Sequence, residues 1–483
     1  MKKFFNTWHK KLGWWGFAAL LIWTVSGLTH PIMTWFGPQT VSFYAPKLSI
    51  NDAQVKGFNA LLRNAEVNES AQVIKLVANH EYGAVLQVTR KGQDSRDYYH
   101  LETLQKLPNY DQKQAKWLAS YYSGEKPADI TNVRVINQFS NDYPAVNRLL
   151  PVYQVDFSSG TQTYIFTETN ILASITNPFK NTLKAVFMQL HTFEWLQNLE
   201  FGRLIIVGLF MLCLTLMSLT GLGLVFALKQ RKIKQTSRRY HRYLGYALWL
   251  PLLGWSASGF YHLLYTSQSN SVSGLRLQST GHIDTTKALS DRWMEQYKAE
   301  NLTSVSVIKD SNEKAVFRLS IAQKAAQHVD RESRFKGLMT ETKAVYIDPY
   351  TGSQRQDIND KQQALLLATN YKPEVSSHIV NSQLVTHYGP DYDFRNKRLP
   401  VWKVVIEDDD ASWLFVDPVT GVLVDQSRAQ DRLERLSFSL LHKWSHLTPL
   451  MGRMWRDSVM VLTLLLLVLI GAVGAQMLIR KKR

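Results

Sequence analysis

Four apolar runs, at roughly 14–35, 204–228, 244–265 and 458–479, interrupt an otherwise mixed chain of 483 residues. Each approaches the ~20 residues that a helix needs to cross a hydrocarbon core about 30 Å thick, so the pattern predicts four membrane helices. Between the first and second runs, and again between the third and fourth, apolar and polar residues alternate as they do in half-buried strands. In the first polar stretch 71–77, 84–88, 97–101, 150–157 and 162–166 follow this rule, with a helical pattern near 111–124. In the second, 304–308, 315–319, 344–348, 399–406 and 412–417 do so. Aromatic-rich strands with a few helices point to small α+β units in which a helix covers one face of an antiparallel sheet. The expected organisation is a membrane helix (1–35), a polar domain (36–185), an approach and second membrane helix (186–228) and a basic loop (229–243). A third membrane helix (244–265), a second polar domain (266–436) and an approach, fourth helix and basic tail (437–483) complete it.

These pieces form two copies of one plan. Trp8-His9-Lys10-Lys11-Leu12-Gly13 and, at the far end of the first apolar run, Ser26-Gly27-Leu28-Thr29-His30 return at one constant offset. Their counterparts are Tyr240-His241-Arg242-Tyr243-Leu244-Gly245 and Ser258-Gly259-Phe260-Tyr261-His262. Leu190-His191 and Leu441-His442 correspond ahead of the second and fourth runs, as do Gly202-Arg203 and Gly452-Arg453, then Gly221 and Gly471. Such repeats pack around a pseudo-two-fold axis, here expected along the membrane normal.

A net charge of +17 invites a nucleic-acid reading, but its placement argues against one. Residues 1–13 carry four Lys, 229–242 carry seven Lys or Arg, and 480–483 carry four, with no Asp or Glu among them. All flank membrane runs, and all fall on one side if the four spans alternate. This positive-inside pattern predicts cytoplasmic termini, a cytoplasmic central loop and two exported domains. The basic loop also suits contact with anionic lipid. The N-terminal run resembles a cleavable signal, yet no small-x-small site follows Pro31 and its histidine phrase recurs internally, so an uncleaved anchor is expected. Cys213 is the only cysteine. It permits no intramolecular disulfide, thiolate cluster or Cys-x-x-Cys-His attachment, so any haem must be held without a covalent link.

Ionisable side chains at membrane depth are costly unless they serve a site, and here they come in matched sets. His9 and His241 lie at the cytoplasmic edge of the first and third helices, His30 and His262 near the outer edge of the same helices, and His191 and His442 before the second and fourth. The 21 residues from His9 to His30 rise roughly 31 Å, close to six turns, so both rings point to similar sides at opposite membrane faces. Gly13 and Gly245 follow the inner histidines by four and Gly27 and Gly259 precede the outer ones by three, leaving bare backbone beside each imidazole for a flat macrocycle. Zinc prefers several crowded ligands, whereas lone histidines facing each other across an axis suit a six-coordinate haem iron used for electron transfer. The outer pairing is open. His30 with His262 gives two haems in all, while His30 with His191 and His262 with His442 gives three. His442 and His446, four apart, offer a further metal chelate. Arg203, Arg453 and Arg242 are candidates for propionate or interface contacts. His80, His100, His282, His328, His378 and His387 show no paired spacing.

The Trp-His-x-x-Leu-Gly entry and its return at Tyr240, the Leu-His pairs, and the Asp-Pro-x-Thr-Gly turns at Asp348 and Asp417 together resemble the PepSY-associated transmembrane family over nearly the whole chain. The resemblance implies a multi-pass protein of the bacterial inner membrane with two periplasmic PepSY-like α+β domains. It implies b-type haem on the recurrent histidines, which map here onto His9, His191, His241 and His442, and a reductase that takes electrons from a cytoplasmic or membrane donor. The substrate implied is a ferric siderophore or other ferric chelate. Two rival readings have sequence grounds. Membrane-anchored domains that bind peptides or restrain a peptidase leave the histidines unexplained, and a metal permease conflicts with spans almost free of carboxylates.

Overall fold

The computed structural model describes residues 1–227, 235–266, 272–297, 300–322 and 342–480; residues 229–234 of the expected loop, His328 and the end of the basic tail lie outside the described residues. The chain has a mixed α/β fold of two compact units. One comprises Met1–Gly37, Pro178–Asn270 and Gln430–Arg483, and the other Pro38–Asn177 and Ser271–Ala429.

The helical unit contains α1 (Lys2–Phe36), α2 (Pro178–His191), α3 (Glu200–Ala227), α4 (Thr236–Thr266), α5 (Ala429–Ser437) and α6 (Thr448–Arg480). Among the described residues three helices, within Lys2–Phe36, Glu194–Ala227 and Ser445–Arg480, are long and apolar enough to cross a membrane. The fourth expected span falls in α4, a 31-residue helix whose Tyr, Trp, Ser, Pro and His side chains dilute its apolar run. Helices α1, α3, α4 and α6 pack in a ring in that order, so α1 and α4 occupy opposite corners. Ala19, Leu20, Leu214, Leu248 and Leu467, one or two from each helix, meet at its centre. The break in α6 falls at Gly452, whose φ of +77° a side chain would resist.

In the other unit the first polar stretch supplies β1 (Ala71–Asn79), β2 (Gly83–Arg90), β3 (Asp97–Tyr99), β4 (Lys106–Leu107), β5 (Ile130–Ile136), β6 (Val152–Phe157), β7 (Gln162–Phe166) and β8 (Ile171–Thr176). The second supplies β9 (Leu275–Arg276), β10 (Leu302–Lys309), β11 (Ala315–Ala322), β12 (Thr342–Ile347), β13 (Ile379–Val385), β14 (Val401–Ile406), β15 (Trp413–Asp417) and β16 (Val422–Ser427). Each stretch builds one helix-covered antiparallel sheet. Helix Tyr110–Ser123 lays Ala115, Leu118 and Tyr122 on Val155 and Ile165 of β5-β6-β7-β8, and helix Asp360–Tyr371 lays Ala364 and Leu367 on Val404 and Leu414 of β13-β14-β15-β16-β9.

The remaining strands of both stretches join one seven-stranded sheet, β12-β11-β10-β1-β2-β3-β4. Its seam pairs β1 with β10 antiparallel, Ile74 opposite Val307 and Leu76 opposite Val305. Phe58, Trp293, Phe317 and Leu319 are fully buried on it, each worth about 1.5–3 kcal/mol of burial. A charged cluster also links the halves. Glu168 accepts from Arg276 at 2.8 Å and lies 3.9 Å from Arg398, which in turn donates to Asp417 at 2.6 Å.

Candidate functional site

The histidines expected at the inner end face each other from opposite corners of the ring. His9 on α1 and His241 on α4 have ring centres 6.2 Å apart with planes at 68°. His9 Nδ1 lies 3.2 Å from the Met217 carbonyl of α3, and His241 Nδ1 lies 3.1 Å from the Ile470 carbonyl of α6. A carbonyl only accepts, so each Nδ1 carries the proton and each Nε2 keeps its lone pair.

A second facing pair forms where α2 and the π-helical turn Phe438–His442 end. His191 and His442 have centres 6.3 Å apart and planes at 89°. Both turns are built alike. Trp23 Nε1 donates to the His191 carbonyl at 3.1 Å, and Trp255 Nε1 to the His442 carbonyl at 2.9 Å. Ser26 Oγ gives its hydrogen to the Ile22 carbonyl and accepts from His191 Nδ1 at 3.0 Å. Ser258 Oγ donates likewise to the Gly254 carbonyl and accepts from His442 Nδ1 at 3.5 Å. Phe187 and Phe438 stack on the two rings, each with centres 4.5 Å apart. Two residues on, Phe193 and Trp444 take left-handed conformations, φ +53° and +51°, and reverse the chain. Loss of hydration pushes both imidazoles down, His191 to about 4 and His442 to about 3, so at pH 7 both are in the neutral form that ligates metal.

The spacing of both pairs matches a shared metal. With a metal–imidazole bond of about 2 Å and a ring centre about 1.2 Å behind the ligating nitrogen, two imidazoles on opposite sides of one ion have centres roughly 6.3 Å apart. The donor set is nitrogen alone, two per site, with every Nδ1 already engaged. Such a donor set would suit a haem held by two imidazoles.

His30 and His262 stand one ring further out. His30 lies edge-on to Phe187 at 6.3 Å, while His262 stacks on Phe438 at 4.1 Å and gives its Nδ1 hydrogen to the Glu434 carboxylate. His446 is exposed, and the left-handed Trp444 interrupts the helical spacing between it and His442. Arg203 donates to the Thr192 carbonyl at 3.3 Å, Arg453 to Thr34 Oγ1 at 3.2 Å and Arg242 to Tyr246 OH at 2.9 Å. Cys213 is buried.

Two glycines touch the inner rings. A Cβ on Gly221 would lie 3.4 Å from His9 Cε1, and one on Gly474 would lie 3.1 Å from His241 Cε1. Gly474 therefore fills the place expected of Gly471, a slip of three residues in α6 relative to α3. Gly13, Gly27 and Gly245 instead face Leu478, Leu464 and Ile470 of α6, so there the missing side chain serves helix packing. Of the first histidine–glycine neighbours expected, Gly259 alone adjoins a ring, at 3.5 Å from His442 Cε1.

Sequence reading passed over Trp23, Trp255, Phe187 and Phe438. The tryptophans repeat at the same offset as the histidines, which was the available signal; the phenylalanines sit four residues before His191 and His442, one turn back on the same face.

No family profile matches the chain, and no curated protein does.

Proposed function

We propose that this is a haem-containing reductase of the bacterial inner membrane, of the PepSY-associated transmembrane kind, which passes electrons outward to a ferric chelate such as a ferric siderophore. The observation that carries this reading is the pair of facing histidine couples, His9–His241 and His191–His442, at the separation that two axial imidazoles need. In this reading α4 is the fourth membrane span, the termini and basic loop are cytoplasmic, and the second unit is periplasmic and PepSY-like.

His9 and His241 hold a b-type haem near the cytoplasmic edge, and His191 and His442 hold one near the outer edge. Bound there, haem supplies one-electron Fe(III)/Fe(II) exchange. The chain's own part is to fix each ligand. The Met217 and Ile470 carbonyls and the Ser26 and Ser258 hydroxyls set the Nδ1–H tautomer, which leaves the Nε2 lone pair free to ligate and raises its basicity. Phe187 and Phe438 limit rotation of the outer rings. His9 and Ser26 are 17 residues apart on α1, which sets the two couples roughly 25 Å apart along the helix. Ferrous iron binds hard oxygen chelators less tightly than ferric iron does, so reduction releases it.

Absorption spectroscopy tests the reading. Purified protein is expected to show a Soret band and, by pyridine haemochrome, two haems per chain; a colourless preparation from haem-replete cells would refute it. One observation favours a second reading, a membrane-anchored binding protein. A cavity of ≈ 410 Å³ lies between Lys106 and Leu107 of β4 and Val133–Val135 of β5. Both strands lie at sheet edges with one partner each. Peptide binding by haem-free protein, undiminished by His9→Ala, would move the balance to that reading.

A further inference from the structure

The two halves are alike around His191 and His442 and part company one ring further out. In the second half His262, Phe438 and His442 form a stacked column, with centres 4.1 and 4.5 Å apart and planes within 18° and 17°. It ends at a side chain that is 34% exposed. In the first half His30 meets Phe187 edge-on at 69°.

The charges differ as well. His262 pairs with Glu434, and Tyr265, three residues on, donates to Asp431, three residues before Glu434, so α5 presents two carboxylates along this face of α4. In α2 the corresponding positions are Leu183 and Lys180. The charged groups acting on His30 are Arg453, Lys443, Asp457 and Arg456, three cations against one carboxylate.

We infer that His262 is a metal-coordinating docking residue, whose Nε2 takes an exchangeable coordination position on the ferric ion of an exported chelate. A carboxylate holding Nδ1–H, as Glu434 does, is the arrangement that fixes the tautomer and orientation of metal-ligating histidines. Leu183, at the position of Glu434, cannot supply His30 with the same acceptor. One imidazole is enough for an ion whose other ligands come from its chelator. Among the described residues no group of three His, Cys, Asp or Glu could hold a bare ion. The stacked column joins the docking point to His442. The identity of the chelate rests on the proposed reductase function; the coordination by His262 does not.

Copper(II) nitrilotriacetate, a chelate with a position open to imidazole, is the probe, read by electron paramagnetic resonance of the full-length purified protein. Wild type is expected to bind one more copper chelate per chain than His262→Ala. Glu434→Gln keeps an acceptor for Nδ1–H and should weaken that site about tenfold. His30→Ala should bind as wild type does. Reoxidation of dithionite-reduced protein by ferric nitrilotriacetate should slow about tenfold or more in His262→Ala with the haem spectrum intact, and added imidazole should restore it in His262→Gly. Equal copper counts in wild type and His262→Ala overturn the proposal whether or not haem is bound, as does loss of the same copper in His30→Ala. A missing Soret band in wild type overturns the reductase reading instead and leaves the copper count to decide the docking site.

Discussion

The turn carrying His191 and the turn carrying His442 share a tryptophan to the histidine carbonyl, a serine to Nδ1, a stacked phenylalanine and a left-handed residue two positions later. The helices leading into them share little. α2 carries Lys180 and Lys184, whereas α5 carries Asp431 and Glu434 toward α4. If two rings are to meet one ion from opposite sides they need equivalent supports, and the two-fold likeness is close where the rings are held. Beyond the rings nothing enforces symmetry, and there the halves can divide their roles.

The largest expected effect comes from breaking one couple at a time. If the inner and outer couples each hold a haem, His9→Ala and His442→Ala each remove one of two, and the double variant removes both. Pyridine haemochrome quantitation reads this directly. Complete loss from either single substitution would mean that the couples are one site.

A buried charge shared between the halves comes next. Burial alone would raise the Glu168 carboxyl, but Arg276, Arg96 and Arg398 outweigh it and hold the carboxyl at about 2. Glu168→Gln strands cations of the opposite half and should cost about 3–5 kcal/mol, the usual loss when one partner of a buried pair is removed. The folded value lies below that of a free glutamate, about 4.3, so the contribution is whole above that pH and is lost as pH falls toward 2. Thermal unfolding of wild type and variant should therefore differ most near neutrality and converge in acid. A gap independent of pH would show that packing, not charge, is what the substitution removes.

The inner couple allows a finer comparison. An added methyl on Gly474 meets His241 at 3.1 Å, closer than one on Gly221 meets His9 at 3.4 Å. If the inner couple holds a haem, Gly474→Ala should weaken its retention more than Gly221→Ala, measured as the rate of haem transfer to apomyoglobin. The reverse order would place the inner rings differently against α3 and α6.

How much of this the sequence disclosed depended on whether a feature was periodic or pairwise. The histidines, the strand runs and the helix over 111–124 were legible because each follows a repeat or a residue period. The β1–β10 seam was not. Both strands alternate in a way that any antiparallel partner satisfies, so nothing in either says that the partner lies in the other half. The exchange of Gly471 for Gly474 was also hidden, since the break at Gly452 lies between the aligned motif and the ring it must serve. The facing of His191 and His442 depends on two chain reversals, at Phe193 and Trp444, where non-glycine residues adopt a left-handed backbone that composition does not announce. His30 and His262 carry the same spacing as the couples, and only the intervening phenylalanines separate them from the gap.

The smallest effect should come from the serines, and it tests the likeness itself. Ser26 Oγ stands 3.0 Å from His191 Nδ1, and Ser258 Oγ stands 3.5 Å from His442 Nδ1, at the limit of a hydrogen bond. Removing a neutral hydrogen bond costs about 0.5–1.5 kcal/mol, and the shorter contact should carry more of it. If haem sits between these rings, the loss also lowers the basicity of Nε2 and shifts the midpoint potential of the outer haem. Ser26→Ala should therefore shift that potential further than Ser258→Ala, with both leaving the inner haem unchanged in redox titration. Equal shifts would mean that the bound state draws both serines to the same distance, and that the difference between the halves is confined to what lies beyond the phenylalanines.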